Sequence, residues 1–491
     1  MLRKDRLLLL TASTFLLSLG IIVLYFLYSL MAGINIELDK GIYFLLLIVY
    51  GGVCLYPIYR RVLVGNLDIF EPPIWASITY GLAFGILGLP LFSKYVYINP
   101  FLDSSYWLNL AFFYIILSIA SLWLGYNTKI ALWVLGRIKI FHPKREKEDA
   151  VVKLSYAFAL YAIGLLARIY MINYGLYAYL GIANLNVSSL GLLQIMMHIE
   201  KFCTYALAIL TISYFIKPSN AKRIMFALIM SLEIIFGFIS GMKSHVIIPL
   251  LIVAIIYYYT KRNTPKGILI GIILILIVSY PFSDTYRDFI NKGAVDTTSI
   301  KAIIEAIPDV MYDAYSEATI GSIFNFGYQK SSSRLSMLES FSLIVKDLSQ
   351  SGRFWYGKYY VYFPLLVLVP RIIWPNKPVI DIGLWFTQTY WNPIAISSTA
   401  ITYPGDLYLN FGLVGVLLGM FVTGIIYRLV YEWFKLNIGP LALFIYVFIF
   451  LALTNYEGDF LGIYTGLIKQ LMELIIIGYF VFGKKRRISL R

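Results

Sequence analysis

The chain has 491 residues, 60% of them hydrophobic and only 14% charged, against roughly 25% charged in an average soluble domain. Its formal net charge of +15 comes from cations in short loops and at the two ends, so it reads as a topology signal and not as a nucleic-acid-binding surface. These numbers exclude a soluble globular domain and describe a polytopic membrane protein.

After the opening MLRKDR an apolar run extends from Leu7 to about Met31, long enough to span and without a small-residue cleavage pattern, so it is expected to be the first transmembrane helix and not a signal peptide. Further apolar segments of spanning length lie at 42–59, 71–92, 105–126, 154–175, 196–216, 222–241, 244–260 and 266–284, then at 405–434, 439–455 and 459–482. Lys and Arg fill alternate connections: Arg60 and Arg61, the cluster from Lys129 to Lys153, Lys217 to Arg223, Lys261 to Lys266, Lys435 and the tail GKKRRISLR. The positive-inside rule then places both termini in the cytoplasm. A further apolar stretch, YYVYFPLLVLVP at 359–370 with Pro364 inside it, is too short to cross as a helix and is read as re-entrant. The expected all-α architecture is therefore about 12 transmembrane helices: nine within 1–284, a large extracytoplasmic loop over 285–404, and three more with a basic cytoplasmic tail over 405–491.

Cys54 and Cys203 both sit inside apolar segments, which suggests neither a disulfide framework nor a thiolate metal site. The loop 285–404 is acidic first and basic later. Glu305, Asp309, Asp313 and Glu317 recur every four residues, giving a helix with one solvated acidic face and Pro308 suited to its first turn. A second helix is expected in SSSRLSMLESFSLIVKDL, capped by Ser332 or Ser333. Arg334 would then lie in its first turn, a position favourable to a cation only when an anion shares it, and so a candidate phosphate site.

Ionisable residues within apolar helices are costly and mark functional candidates. Arg168 falls toward the outer end of the fifth segment; His198, Glu200 and Lys201 open the sixth; Glu233 lies past the middle of the seventh. Lys243 and His245 follow in SGMKSHV, and Asp406 and Asn410 stand one turn apart at the start of the tenth. No zinc spacing, phosphate-binding glycine loop or nucleophile elbow occurs, so neither metal nor cofactor is expected. Arginines, carboxylates and aromatics on the outer face suit a lipid-linked diphosphate, because the guanidinium fork donates two hydrogen bonds to phosphate and keeps its charge.

The run RLSMLESF, then YGKYY, VPRIIWPNKP and STAITYPGDLYLNFGLVG, with YRDFI and SGMKSH upstream, resembles the outer-loop signature of oligosaccharide repeat-unit polymerases of the Wzy-type O-antigen polymerase group. The likeness covers roughly residues 240–420. It implies a fold resembling class C glycosyltransferases and an inverting, metal-independent transfer of a growing glycan from its polyprenyl-diphosphate carrier to a lipid-linked repeat unit, with a chain-length-regulating co-polymerase as a possible partner beside membrane lipid. Carried over by position, Arg287, Arg334 and Arg371 contact diphosphate or acceptor. Lys243 stands where relatives often carry Arg, and the next glycine after Arg371 is Gly383, which departs from the spacing of some relatives. Arg168, Trp374, Lys377, Tyr408 and Asn410 complete the expected substrate contacts, Trp374 serving either a sugar ring or the membrane interface. Glu339, Asp406 and His198 are the candidate bases, in that order. A ligase moving finished glycan, a flippase or permease for lipid-linked sugars, and a non-catalytic assembly subunit are the alternatives.

Overall fold

The computed structural model describes residues 38–92, 99, 101, 102, 104–137, 154–177, 179, 190–316, 336–369, 373, 374, 376–378, 380–394 and 398–482. Among the described residues every regular element is helical. The expected first crossing, Arg334 and Arg371 lie outside them.

Helices α1 (Leu38–Cys54) and α2 (Tyr56–Val64) follow each other across a bend of 40°. Pro57 occupies the first turn of α2; with no N–H to return to the preceding turn, it breaks the ladder there. Helix α3 (Pro72–Tyr80) continues through a wide turn and tighter 3-10 turns to Phe92, and α4 (Tyr106–Asn127) leads to the short α5 (Ile130–Arg137). Then come α6 (Leu154–Asn173), α7 (Leu190–Glu200), α8 (Phe202–Ile216), α9 (Asn220–Ile239), α10 (Lys243–Lys261) and α11 (Lys266–Asn291). The connecting region holds α12 (Ile300–Tyr315), α13 (Leu338–Ser351), α14 (Phe363–Leu368) and α15 (Ile382–Tyr390), and the chain closes with α16 (Tyr403–Leu436), α17 (Pro440–Leu453) and α18 (Phe460–Phe482).

Seven helices among the described residues are long and apolar enough to cross a membrane, or eight if α1 and α2 count as one span. Three further expected crossings are helical but differ from a simple span. Helix α9 carries Lys222, Arg223 and Glu233, α11 runs on into the charged DTYRD, and α17 has 14 residues, fewer than the roughly 20 that a bilayer core requires.

The tightest crossing joins α4 to α16. A Cβ on Gly125 would lie 1.9 Å from the carbonyl oxygen of Phe421, and one on Gly424 would lie 2.1 Å from that of Leu122. Backbone thus meets backbone, the small-residue solution that replaces hydrophobic drive when the solvent is itself apolar. Ser121 Oγ donates to Leu417 O at 2.7 Å across the same seam. Around it lies a large aromatic core in which Phe434 stacks on Tyr446 at 4.2 Å. A second, smaller core holds Met171, Tyr177, Ile239, Phe282, Tyr286 and Ile303 between α6, α9, α11 and α12.

Two local expectations change. Helix α13 begins at Leu338, after the non-helical Ser336 and Met337, so neither Ser332 nor Ser333 caps it. Glu339 and not Arg334 occupies its first turn, as the helix dipole prefers, which removes the dipole argument for an anion site at Arg334. In α12, Ser299 caps the helix by accepting from Ala302 N, and Pro308 lies inside it and not in the first turn. Glu305 of the acidic face pairs with exposed Lys301 at 3.7 Å.

Helix α16 is broken. Gly412 has φ 62° and ψ −156°, a conformation open essentially to glycine alone. The carbonyls freed by the break are taken up by the preceding loop: Trp355 N donates to Leu409 O at 3.0 Å and Tyr356 N to Asn410 O at 2.9 Å. Tyr356 itself is held at φ 50°.

Candidate functional site

Helices α6 to α10, with α17 and α18, line an open cavity of about 590 Å³. Its apolar lining includes Met171, Leu193, Ile248 and Phe448, and among them stand Arg168, Glu200, Lys201, Glu233, His245 and Gln470. The register of α6 follows from Gly164, whose absent side chain lets the helix approach Cys203 N so closely that a Cβ would lie 2.8 Å away. One turn later Arg168 reaches across to the end of α7.

Arg168 is 2% exposed and is held by two carboxylates. Its Nε and Nη2 donate to Glu200 Oε1 at 2.9 and 2.6 Å, while Nη1 and Nη2 donate to Glu233 Oε1 and Oε2 at 2.7 and 3.2 Å. Tyr161 adds a 3.1 Å hydrogen bond to Glu233 Oε1, and the guanidinium lies 5.0 Å from the ring of Phe236. A buried charge is tolerated when it is paired and its donors are filled, and Arg168 meets both conditions. The two glutamates differ. Glu233 is as buried as Arg168 with both oxygens engaged, whereas the Glu200 side chain is 17% exposed and, among the described residues, only its Oε1 accepts a hydrogen bond.

Residues Met197, Glu200, Lys201 and Thr204 all line the cavity, the i, i+3, i+4, i+7 face of one helical path. His198 falls off that face. Its Nδ1 lies 2.5 Å from Glu473 Oε1 of α18, whose other oxygen accepts from Tyr205 at 2.7 Å. His198 therefore joins α7 to α18 and is not among the residues lining the cavity. His245 does line it, and its Nδ1 is closed off from solvent and meets no hydrogen-bond partner among the described residues.

Beside the cavity, Lys243 Nζ lies 3.4 Å from Asp284 Oδ1. Arg287 donates from Nε to Gly241 O at 2.9 Å and lies 4.6 Å from the ring of Tyr179. Arg168, Lys243 and Arg287, expected from sequence to share a substrate, are thus gathered on neighbouring elements, the latter two around the turn between α9 and α10.

The remaining expected site residues within the described structure do not line this cavity. Asp406 is fully buried; Oδ2 accepts from Tyr360 OH at 2.9 Å and from Phe460 N at 2.8 Å, and Oδ1 from Asn410 Nδ2 at 2.8 Å. Asn410 in turn accepts from Gly357 N at 3.1 Å. Together they join the aromatic loop and the start of α18 to the top of α16. Tyr408 is buried against Tyr114 and hydrogen-bonds Ser349 at 3.0 Å. Glu339 Oε1 accepts from Asn99 N at 2.8 Å, tying α13 to the 99–102 turn, and burial pushes its carboxyl above the ordinary range while that hydrogen bond partly offsets the rise. Lys377 is buried and donates to Leu366 O and Val369 O, both at 2.8 Å. It caps α14, a helix of six residues. Trp374 is half-buried in the same loop.

Sequence reasoning flagged Glu200, Lys201, Glu233 and His245 as intramembrane charges without placing them in the site. It did not identify Gln470 or Tyr177. The shared cavity-facing register of Glu200, Lys201 and Thr204 was the available signal. No cluster of His, Cys, Asp and Glu arranged for a metal ion occurs among the described residues.

The described residues define a helical membrane protein with a charged cavity among its helices. The chain belongs to the family described as a domain of unknown function (DUF8712), whose match spans residues 152–454, more than half of the sequence. Every charged residue of the cavity wall lies within that span. Comparison with curated proteins and with solved structures gives no match.

Proposed function

We propose that this protein is a membrane polymerase that transfers a glycan from a polyprenyl-diphosphate carrier onto a lipid-linked oligosaccharide repeat unit at the outer membrane face, building a surface polysaccharide. The observation that carries this reading is the 590 Å³ cavity with both apolar and charged lining, a volume within the range of ligand sites, roughly 300–1,000 Å³. An amphipathic, lipid-borne sugar needs both kinds of lining. The loop-motif resemblance supplies the reaction class, and Lys201, Lys243 and Arg287 supply cations on and beside the chamber for the leaving diphosphate.

A second reading, translocation of lipid-linked oligosaccharide, is favoured by the helix break at Gly412, since discontinuous helices are common in transporters. Deletion of the gene followed by glycan sizing separates the two. Polymerisation predicts loss of long chains with single repeats retained at the surface. Translocation predicts loss of all surface glycan with lipid-linked precursor trapped inside.

A further inference from the structure

We propose that Glu200 is the base that takes the proton of the acceptor hydroxyl, with Arg168 and Glu233 as its positioning residues; this rests on the glycan-transfer reading above. Of the three acids and bases that the sequence put forward, Asp406 is held by three donors and His198 lies against Glu473, while Glu339 has one oxygen bound by Asn99 N and stands away from the chamber. None of them lines the chamber.

Glu200 does, and its geometry is that of an oriented base. Two nitrogens of Arg168 converge on Oε1, which fixes the plane of the carboxylate while Oε2 meets no donor among the described residues. Glu233 holds Arg168 from the opposite side through both of its oxygens. This is the three-part arrangement of reacting group, orienting group and support that general-base sites use. Lys201 on the same face, His245 from α10 and Tyr177 beside Arg168 are the other ionisable groups that line this wall.

In the step itself, Glu200 Oε2 accepts the acceptor's O–H proton as that oxygen bonds to the anomeric carbon of the donor glycan. The bond from that carbon to the diphosphate oxygen breaks, and the electron pair leaves with the polyprenyl diphosphate. The proton then passes from Glu200 to water or to the departing diphosphate, which restores the carboxylate.

The test uses the full-length protein in membranes of a deletion strain, with the single-repeat lipid-linked precursor extracted from that strain as substrate. Glu200→Gln keeps an oxygen for Arg168, whose charge Glu233 still balances. It should lower kcat by about 100-fold or more with little change in KM, and abolish the fall in rate on the acid side of the pH profile. Glu200→Asp should recover part of the rate, and Glu233→Gln should slow the reaction less while keeping the acid limb. Elongation by Glu200→Gln within a few-fold of wild type, or an acid limb that persists in it, overturns the assignment. If wild-type membranes do not elongate the precursor, the transfer reading falls and the assignment falls with it. If Glu200→Gln does not accumulate as folded protein, the Glu200→Asp rate and pH profile decide: a wild-type rate and acid limb there overturn the proposal.

Discussion

Two acids set in apolar segments of this molecule look alike in sequence and differ in structure. Asp406 and Glu200 each interrupt an apolar segment. Asp406 is sealed at the head of α16, where fixed donors from the aromatic loop, its own helix and the start of α18 reach both oxygens. Glu200 stands in the wall of a chamber with one oxygen tied to Arg168 and the other without a donor among the described residues. A carboxylate with every direction used holds parts of a fold together; one with a direction left open can meet a ligand. The cost of desolvation is the same in kind at both places, and its compensation separates the roles.

That contrast can be broken most severely at Arg168. Arg168→Ala leaves Glu200 and Glu233 facing each other without a cation, and the expected loss of stability is about 3–5 kcal/mol, read as a large drop in thermal midpoint in detergent. Asp406→Ala strands Tyr360 OH and Phe460 N, while Asn410 Nδ2 keeps its bond to the residue 406 carbonyl. With unsatisfied buried groups at roughly 1–3 kcal/mol each, a loss of about 3 kcal/mol is expected, accompanied by protease sensitivity in the 352–362 loop. A midpoint unchanged by Asp406→Ala would mean that this junction carries no load.

The break in α16 is a smaller effect. Gly412→Ala asks a Cβ to adopt a glycine-only conformation, 3.3 Å from the ring of Phe354, for about 1–3 kcal/mol. Stability unchanged by that substitution would argue that the helix tolerates being straight.

Smallest is Glu339→Gln, which keeps an oxygen for Asn99 N. The folded carboxyl is raised by burial, so the folded state holds its proton to higher pH than the unfolded chain. Its contribution is therefore fully present below the ordinary carboxylate range and is lost as pH rises through the folded value. Denaturation measured between about pH 4 and 7 should lose this slope in Glu339→Gln, with a change of less than about 1 kcal/mol at neutral pH. A slope of opposite sign in wild type would contradict the burial account.

How much of this was legible beforehand depended on the range of the interaction. The all-helical architecture and the positions of Arg168, Glu200, Glu233 and Lys243 follow from local hydropathy and the cost of charge in lipid. The pairing of Arg168 with Glu233, 65 residues apart in sequence, does not, because helix order in a bundle is fixed by packing at sites such as Gly164 and Gly125. The start of α13 was misplaced for a related reason. Three serines offer a good cap locally, but Met337 N donates to Ala83 O at 3.0 Å, and that tertiary bond accompanies a helix that starts later. Lys377 reads as a cation for substrate until the carbonyl ends of α14 are seen to claim it. The short α14 needs a cap, and a buried lysine supplies one.

The most direct test of the contrast is to compare Glu200→Gln with Asp406→Asn in the deletion strain, sizing the surface glycan at matched amounts of folded protein. The account predicts that Glu200→Gln leaves only single repeats, while Asp406→Asn restores long chains on a less stable protein. Long chains from Glu200→Gln, or their loss with fully folded Asp406→Asn, would contradict it.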